Sequence, residues 1–315
     1  MHRTRLGLIF FAIAAMILAS SSNLFAQQTR TWVSPVGTDS GSCGAYSSPC
    51  LTFSGALNST NTASGGVISV QAPGDFGPVT ITQSVTIDAG GMYAGILASS
   101  TGISINITAG ETVILRGLSI DGGGSGLTGV DFSSSGGTLF VEKCAISNLS
   151  NYGISFEPTG TSQLFVSDTT IRNVAPGSTS NLFAGISLSA SGGAIKSTVS
   201  IDNTRVEGCV TGLSAAKAFI KAIVSRSVLS GNSLRGIYVQ GNSLVSVESC
   251  VLGNNVKQGI LVNAGGGIVV ISNNTIVNNG SGMVISAGSI VSTGGNCVAQ
   301  DGGTPGYPTT TIPRE

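Results

Sequence analysis

The sequence predicts an all-β fold in which the chain winds as a parallel β-helix solenoid behind a small amino-terminal cap. A glycine followed by a strand of alternating apolar residues recurs at intervals of 23 to 32 residues. A second strand, which ends on an aliphatic residue, recurs in step with it. Repeats of this length are typical of solenoids, whose neighbouring coils bury faces that a single coil cannot bury. The repeated glycines are Gly102, Gly129, Gly153, Gly185, Gly212, Gly236, Gly259 and Gly282.

Residues 1–26 predict a cleaved secretory signal peptide. Arg3 and Arg5 precede an uncharged apolar run from Leu6 to Ala19, and small residues end the segment at Ala26. The run has 14 residues, fewer than the ~20 that cross a bilayer as a helix. No later apolar run is longer. We therefore predict an exported protein, periplasmic or extracellular, without a membrane span.

Residues 27–66 are predicted to form the cap. The segment Ser48–Leu57 predicts a short helix, placed where the first coil would otherwise expose its edge and its core. Solenoids need such a cover, because an open strand edge pairs with other chains. The residues predicted to give this helix its apolar surface are Leu51, Phe53, Ala56 and Leu57.

The six cysteines comprise one close pair and four separate residues. Cys43 and Cys50 are seven positions apart in an exported protein, which favours a disulfide over the alternative of two free thiols. Cys144 and Cys250 fall in one column but four coils apart. At ~4.8 Å per coil this is beyond the ~7 Å Cα limit for a disulfide, so we expect both to be small buried core residues. The cysteines predicted to stay unpaired are Cys144, Cys209, Cys250 and Cys297.

Residues 67–300 are predicted to form about eight to ten coils with a dry inner face and a wet outer face. The second strand is interpreted as one continuous segment, such as Val113–Ile120. Its last residue would stack from coil to coil into an inner column of Ile120, Ile146, Ile171, Val206, Leu229, Leu252 and Ile276. The strand after each glycine would point outward the residues Ser104, Asp131, Ser155, Ser187 and Tyr238.

Asparagines and prolines predict the turns and the carboxy-terminal end. Asparagine tolerates left-handed turn geometry, and stacked asparagines can join coils by hydrogen bonds. An incomplete ladder of this kind is predicted at Asn148, Asn173, Asn254 and Asn278. Residues 301–315 form a Pro/Thr-rich tail, predicted to be a mobile linker or end.

The composition excludes several kinds of chemistry. Without Arg3 and Arg5 the chain has 12 basic residues against 14 acidic ones, so nothing favours nucleic acid as a partner. The sole histidine, His2, lies in the signal peptide, which removes histidine-based nucleophilic triads and histidine-ligated zinc. No motif for a phosphate or a metal is present, and we predict no cofactor and no metal.

Two groups of charged residues are the candidate sites. Exposed pairs between adjacent coils, such as Arg116 with Glu142, Lys143 with Asp168 and Arg172 with Glu207, contribute ~0.2–1 kcal/mol each and need no functional explanation. The alternative is a ligand-binding patch in the middle coils, formed by Asp168, Arg172, Asp202, Arg205, Glu207 and Arg226. Asp131 and Glu157 are interpreted as two solvated acids, with a catalytic carboxylate pair as the alternative; no residue is predicted to be catalytic.

The segments Gly65–Val70, Pro73–Gly77 and Ser84–Gly91 resemble the opening of right-handed parallel β-helix proteins of the pectate-lyase-like superfamily. This resemblance implies a right-handed solenoid over roughly residues 29–300. It also implies lyase or hydrolase action on acidic polysaccharides, with calcium-binding carboxylates and an arginine. The Trp-Ile-Asp-His type of signature is absent, and no catalytic residue can be transferred.

We therefore predict an exported β-helix protein that binds a polysaccharide or another cell-surface ligand without catalysis. A long sheet face matches a long polymer. The alternative is a polysaccharide lyase or glycoside hydrolase of the same fold.

Overall fold

The computed structural model describes residues 28–58, 62–191, 197–216, 220–303 and 305–312; the predicted signal peptide lies outside them. The amino-terminal part contains β1 (Gln28–Val33), α1 (Phe53–Leu57), β2 (Thr62–Val70), β3 (Gly74–Asp75), β4 (Val79–Ile81), β5 (Val85–Asp88), β6 (Ala94–Leu97), β7 (Thr101–Ile105) and β8 (Thr112–Arg116). The middle coils contain β9 (Ser119–Asp121), β10 (Thr128–Phe132), β11 (Gly137–Glu142), β12 (Ala145–Leu149), β13 (Tyr152–Phe156), β14 (Ser162–Ser167), β15 (Thr170–Val174), β16 (Ala184–Leu188), β17 (Ser197–Asp202) and β18 (Arg205–Glu207). The carboxy-terminal coils contain β19 (Thr211–Ala215), β20 (Ile220–Ser225), β21 (Val228–Ser230), β22 (Arg235–Val239), β23 (Leu244–Glu248), β24 (Val251–Gly253), β25 (Gln258–Ser272), β26 (Thr275–Val277), β27 (Ser281–Ser292), β28 (Cys297–Ala299) and β29 (Thr310–Thr311).

Each full coil contributes one strand to each of three parallel sheets, and the solenoid has about nine turns. Sheet 1 contains β4, β7, β10, β13, β16, β19, β22 and the first parts of β25 and β27. Sheet 2 contains β1, β2, β5, β8, β11, β14, β17, β20, β23, the second parts of β25 and β27, and β29. Sheet 3 contains β3, β6, β9, β12, β15, β18, β21, β24, β26 and β28. The predicted all-β, parallel solenoid is confirmed.

The predicted inner column is also confirmed. Ile146 pairs with Ile120 on one side and with Ile171 on the other, and the in-register pairing continues through Val206 and Leu229. All of these side chains are buried. Since each coil adds one such layer, the core is a continuous apolar stack along the solenoid axis.

The predicted continuous second strand is wrong, because each one is broken by a single left-handed residue between sheet 2 and sheet 3. In the Val113–Ile120 segment this residue is Gly117. Its counterparts have φ between 45° and 55° and are Lys143, Asp168, Asn203, Arg226, Ser249 and Asn273. The extra turn residue reverses the alternation, so that Leu115 and Ile120 both point inward. Each coil therefore has three outer faces, one for each sheet, instead of the two that the sequence predicts.

The repeated glycines allow close approach of the backbone inside the solenoid. A Cβ on Gly129 would lie 2.7 Å from the carbonyl oxygen of Gly153 and 2.7 Å from Cγ2 of Ile146. A Cβ on Gly212 would lie 2.6 Å from the carbonyl oxygen of Gly236. Only glycine fits at these positions, because the backbone of the adjacent coil and the inner-column side chain of the same coil occupy the space that a Cβ would need.

The asparagine ladder lies one residue beyond its predicted position. Asn148, Asn173, Asn254 and Asn278 adopt the left-handed conformation, with φ of 55° to 59°, and Asn173 Nδ2 lies 3.3 Å from Asn148 Oδ1. The longer ladder, however, is formed by the position directly after the left-handed residue, where the side chain points inward. Asn232 Nδ2 donates to Asn255 Oδ1 at 2.8 Å, Asn255 to Asn279 at 2.9 Å, and Asn279 to Asp301 at 3.1 Å.

Helix α1 and a disulfide lie at the amino-terminal end. The Thr52 side chain caps the helix by accepting from the Gly55 amide at 2.9 Å, and Phe53, Ala56 and Leu57 are buried. Leu51 is 39% exposed, since it precedes the helix. Cys43 and Cys50 form the predicted disulfide. Strand β1 pairs in parallel with β2, so sheet 2 begins within the segment predicted as the cap.

The carboxy-terminal end closes the last coil. The Met283 amide donates to the Pro305 carbonyl at 2.9 Å, and β29 pairs with β27. The described residues 305–312 of the predicted tail contribute backbone hydrogen bonds to sheets 1 and 2. In the described part of the chain, no helix has the length and apolarity needed to cross a membrane.

Cysteine alkylation provides a direct test of the inside–outside assignment. Cys144, Cys209 and Cys250 are buried free thiols and Cys297 is exposed. Burial raises the pKa of Cys144 and Cys250 to about 11 and that of Cys209 to about 12, so little thiolate forms near pH 8. With iodoacetamide at that pH, peptide mass spectrometry should show rapid labelling of Cys297 alone among these four. Equal labelling of Cys144 without denaturant would contradict the assignment.

Candidate functional site

The six residues of the predicted ligand-binding patch lie on sheet 3 and on its corner with sheet 2. Arg226 forms an ion pair with Asp202, and Arg205 forms one with Glu207. Asp168 accepts a hydrogen bond of 2.6 Å from Asn203 Nδ2. The structure thus brings most of these charges together in pairs that neutralise one another.

The predicted ion pairs between coils are formed only in part. Arg116 Nε lies 2.8 Å from Glu142 Oε2, as predicted, and Arg116 also reaches Asp88 at 3.4 Å. Arg172 is in register with Glu207, but the carboxylate of Glu207 pairs with Arg205 on its own strand. The exposed setting of these pairs limits each to ~0–1 kcal/mol.

The predicted carboxylate pair is on the outer side of sheet 1, on adjacent coils. Asp131 is in register with Ser155, and Glu157 follows two residues later. Asp131 accepts a hydrogen bond of 3.1 Å from Ser133. Glu157 instead lines a groove that Asp131 does not line.

We call this cavity the serine groove; its volume is about 310 Å³. Sheet 1 forms its floor, and the loop of residues 175–183 overhangs it. Its lining residues are Tyr152, Glu157, Asn181, Leu182, Ser187, Ser189, Ser214, Ala216 and Gln240.

A row of serines runs across sheet 1, and two of its members, Ser187 and Ser214, line the floor of the groove. Ser155, Ser187 and Ser214 are in register on three successive strands. They point outward as predicted for the first two, but they are only 3%, 4% and 2% exposed, because the loop covers them. Within the described ranges their hydroxyls make no hydrogen bond to protein atoms. Each hydroxyl can donate one hydrogen bond and accept two, so the row can bind a polar ligand.

The overhanging loop is held by packing and by hydrogen bonds. Phe183 packs on a small apolar cluster of Ala175, Val210 and Leu234 and meets the Tyr152 ring edge-on at 6.1 Å. The Ser233 hydroxyl donates to the Ser178 carbonyl at 3.4 Å. The longest glycine interval, from Gly153 to Gly185, supplies this loop, and its length was the signal that sequence reasoning did not use.

Tyr238 does not offer the exposed ring that the sequence predicts on this face. It is 3% exposed, and the Arg235 guanidinium lies 4.4 Å from its ring centroid. Arg235 in turn donates to Asn181 Oδ1 at 2.8 Å and to Gln258 Oε1 at 2.9 Å. A cation stacked on an aromatic face is attracted by the ring quadrupole, and this attraction helps to hold the Arg235 guanidinium over the Tyr238 ring.

Tyr152 and Glu157 give the groove its electrostatic character. Burial, and then the charge of Glu157, raise the pKa of Tyr152 above its usual value. The phenol is therefore neutral at physiological pH and can donate a hydrogen bond. Glu157 is the one carboxylate among the lining residues.

Sequence reasoning missed a pair of aromatic residues on the outer side of sheet 2. Phe140 and Phe165 occupy adjacent coils, with ring centroids 4.7 Å apart and planes 10° apart. Each phenylalanine is at an outward position in the alternating pattern of its own strand, so the sequence contains the information needed to predict this pair. Because the rings stack on each other, their inner faces are not available to a sugar.

A larger cavity, of about 870 Å³, lies on the other side of the same loop, beside Asn148 and Asn173. Its amides are already engaged, since Asn148 Nδ2 donates to Asp121 at 2.7 Å and Asn173 Nδ2 lies 3.3 Å from Asn148 Oδ1. We therefore place the candidate site in the serine groove, where the hydroxyls are uncommitted.

Potential metal ligands gather in one group of three in the described parts of the chain, Asp39 with Cys43 and Cys50. Both sulfurs belong to the disulfide. They are therefore not thiolate ligands, and the set fits no metal ion.

Comparison with known proteins agrees with the architecture. The sequence pattern of the family described as right handed beta helix region matches residues 129–302. The solved structure of pectate lyase Pel9A is 16% identical, with a TM-score of 0.60, over 84% of this chain and 78% of that one. The periplasmic alginate epimerase AlgG is 13% identical over 84% and 82%, with a TM-score of 0.37. The A-module of the Azotobacter vinelandii mannuronan C-5 epimerase AlgE6 is 13% identical over 79% and 89%, with a TM-score of 0.39. No curated protein sequence matches the chain.

Proposed function

Because the chain belongs to the right-handed β-helix family, with the sheet faces that this architecture presents, we propose that it is an exported protein that binds a polysaccharide in the serine groove without converting it. The observation that carries this proposal is that Ser187 and Ser214 on the groove floor, and Ser155 in register beside them, have hydroxyls with no protein partner among the described residues. Sugar hydroxyls both donate and accept hydrogen bonds, and a serine can match either role.

The groove offers further contacts of the kind that a saccharide uses. The neutral phenol of Tyr152 and the amides of Asn181 and Gln240 are directional polar groups, while Leu182 adds apolar surface. A pocket with an apolar part and a few convergent polar groups is the usual form of a small-molecule site. The single carboxylate, Glu157, can accept from sugar hydroxyls.

Export is supported by two features. Residues 1–26 have the pattern of a secretory signal. The Cys43–Cys50 disulfide persists in oxidising compartments and is rare in the cytosol. A polysaccharide in the periplasm or on a cell surface is therefore the class of ligand that this proposal names.

The second candidate function is a polysaccharide lyase or glycoside hydrolase. Its support is the fold shared with a pectate lyase and the position of Tyr152 and Glu157 in one groove. A glycoside hydrolase of the usual type needs two carboxyl groups beside the scissile bond, and Asp131 does not line the groove with Glu157. Binding without conversion is the better supported function.

Binding assays on immobilised polygalacturonate, alginate, xylan and laminarin test the proposal. We expect saturable binding to at least one of these polymers. The double variant Ser187→Ala/Ser214→Ala should weaken it about fivefold to a hundredfold, because each lost hydrogen bond contributes about 0.5–1.5 kcal/mol. The matched control is Ser167→Ala, a serine-to-alanine change on sheet 2, which should leave the affinity unchanged.

Other outcomes point elsewhere. Absence of binding to all four polymers, or a double variant that binds like the unmodified protein, contradicts the proposal. Loss of binding in Arg172→Ala/Arg226→Ala alone would move the site to the charged patch on sheet 3. New reducing ends or unsaturated products that disappear in Glu157→Gln would establish the enzyme instead.

A further inference from the structure

We propose that the serine groove is closed on its carboxy-terminal side and takes the end of a saccharide chain rather than an internal stretch. This inference rests on the proposed function and concerns the same groove. It differs from the sequence-based expectation that a long polymer lies along the sheet.

The polar floor ends within sheet 1. Ser155, Ser187 and Ser214 form three successive steps of the outward column, and the next two steps are Tyr238 and Leu261. Both of these are buried, at 3% and 7% exposure. A ligand that follows the serines therefore meets the ring of Tyr238 one coil later, which the Arg235 guanidinium covers, and then Leu261, which has no polar side-chain group.

Arg235 builds the wall at this point. It is 7% exposed, stacks on Tyr238, and joins Asn181 of the loop to Gln258 of the next coil. Within the described residues no carboxylate pairs with it. The buried guanidinium is therefore held by its hydrogen bonds to Asn181 and Gln258 and by its contact with Tyr238. These same contacts fix the loop to the sheet.

The opposite side of the groove is open. The outward residues of the two preceding coils, Asp131 and Ser104, are only half-buried, and the loop does not reach over them. The groove volume of about 310 Å³ is at the lower end of the range for ligand pockets. A chain can thus enter from the amino-terminal coils and extends no further than the coil of Gln240, where Arg235 ties the loop to the sheet.

Stoichiometry against chain length tests this inference. Size-fractionated chains of the polymer that binds in the four-polymer assay are titrated with the protein and followed by analytical ultracentrifugation. We expect the same number of proteins per chain for short and long fractions, so that binding per gram rises in proportion to the number of chain ends. Binding along the chain would instead increase the number of proteins per chain with length.

Variants of the wall provide the second measurement. Asn181→Ala removes the loop partner of Arg235 without touching the sheet, and Arg235→Ala removes the wall itself. Either variant should let several proteins bind one long chain. The control is Arg205→Ala, which removes an exposed arginine of sheet 3 and should keep the stoichiometry of the unmodified protein.

The outcomes separate the two proposals. A number of proteins per chain that grows with length in the unmodified protein overturns chain-end binding and leaves the proposed function intact. No binding to any of the four polymers, or full binding by Ser187→Ala/Ser214→Ala, overturns both. Constant stoichiometry in the unmodified protein that becomes length-dependent in Asn181→Ala supports both.

Discussion

Replacement of Ile171 by alanine is expected to lower the free energy of unfolding by about 2–5 kcal/mol, because the variant leaves a cavity in a close-packed core. Ile171 is completely buried and stacks between Ile146 and Val206 on the neighbouring coils. Removal of its side chain therefore breaks the apolar column in both directions. Urea denaturation followed by circular dichroism measures the change.

The control for this variant is Ser167→Ala, four residues earlier on the same coil. Ser167 is at the outer end of β14 and is only half-buried, so we expect a change within about 0.5 kcal/mol. Equal losses in the two variants would show that the inward and outward positions have been assigned incorrectly.

The second large effect is expected for Gly153→Ala. A Cβ at this position would lie 2.5 Å from the carbonyl oxygen of Gly185 and 2.5 Å from Cγ2 of Ile171. Both the adjacent coil and the inner column would have to move, and such overpacking costs about 1–3 kcal/mol. The same denaturation experiment measures the loss.

Gly265→Ala is the matched control for the glycine variant. Gly265 is also in a strand, β25, but a Cβ added there would have no atom within 4 Å beyond its own chain neighbours. We expect a neutral change or a gain of up to about 1 kcal/mol, since alanine restricts the unfolded chain. A loss in Gly265→Ala as large as in Gly153→Ala would contradict the steric explanation.

Sequence reasoning predicted the registers of the solenoid well and its corners poorly. Once the second strands were aligned with one another, Ile120, Ile146 and Ile171 fell in one column, because inner positions tolerate only apolar residues of similar size. The break between sheets 2 and 3 gave no comparable signal. Lys143 and Arg226 adopt left-handed geometry there, although neither residue type favours it, since the pairing of the flanking strands determines the conformation.

The candidate site shows the same division. The sequence predicted an outward column containing Asp131, Ser155 and Ser187, and these residues do share one face of sheet 1. It did not predict that Ser155 and Ser187 are covered, because the loop that covers them belongs to a later part of the coil. Tyr238 was expected to be exposed for the same reason.

By itself, the sequence determined that this protein is a stack of β-strand coils, since a period of glycines and aliphatic residues can be buried only by repetition. It also favoured the pairing of Cys43 with Cys50, which the structure contains, and it determined the absence of histidine from residues 27–315. Only the tertiary structure decided which polar residues are available to a ligand. Availability depends on where an irregular loop comes to lie, and the packing of Phe183 and the hydrogen bond from Arg235 to Asn181 join residues that no periodic pattern relates.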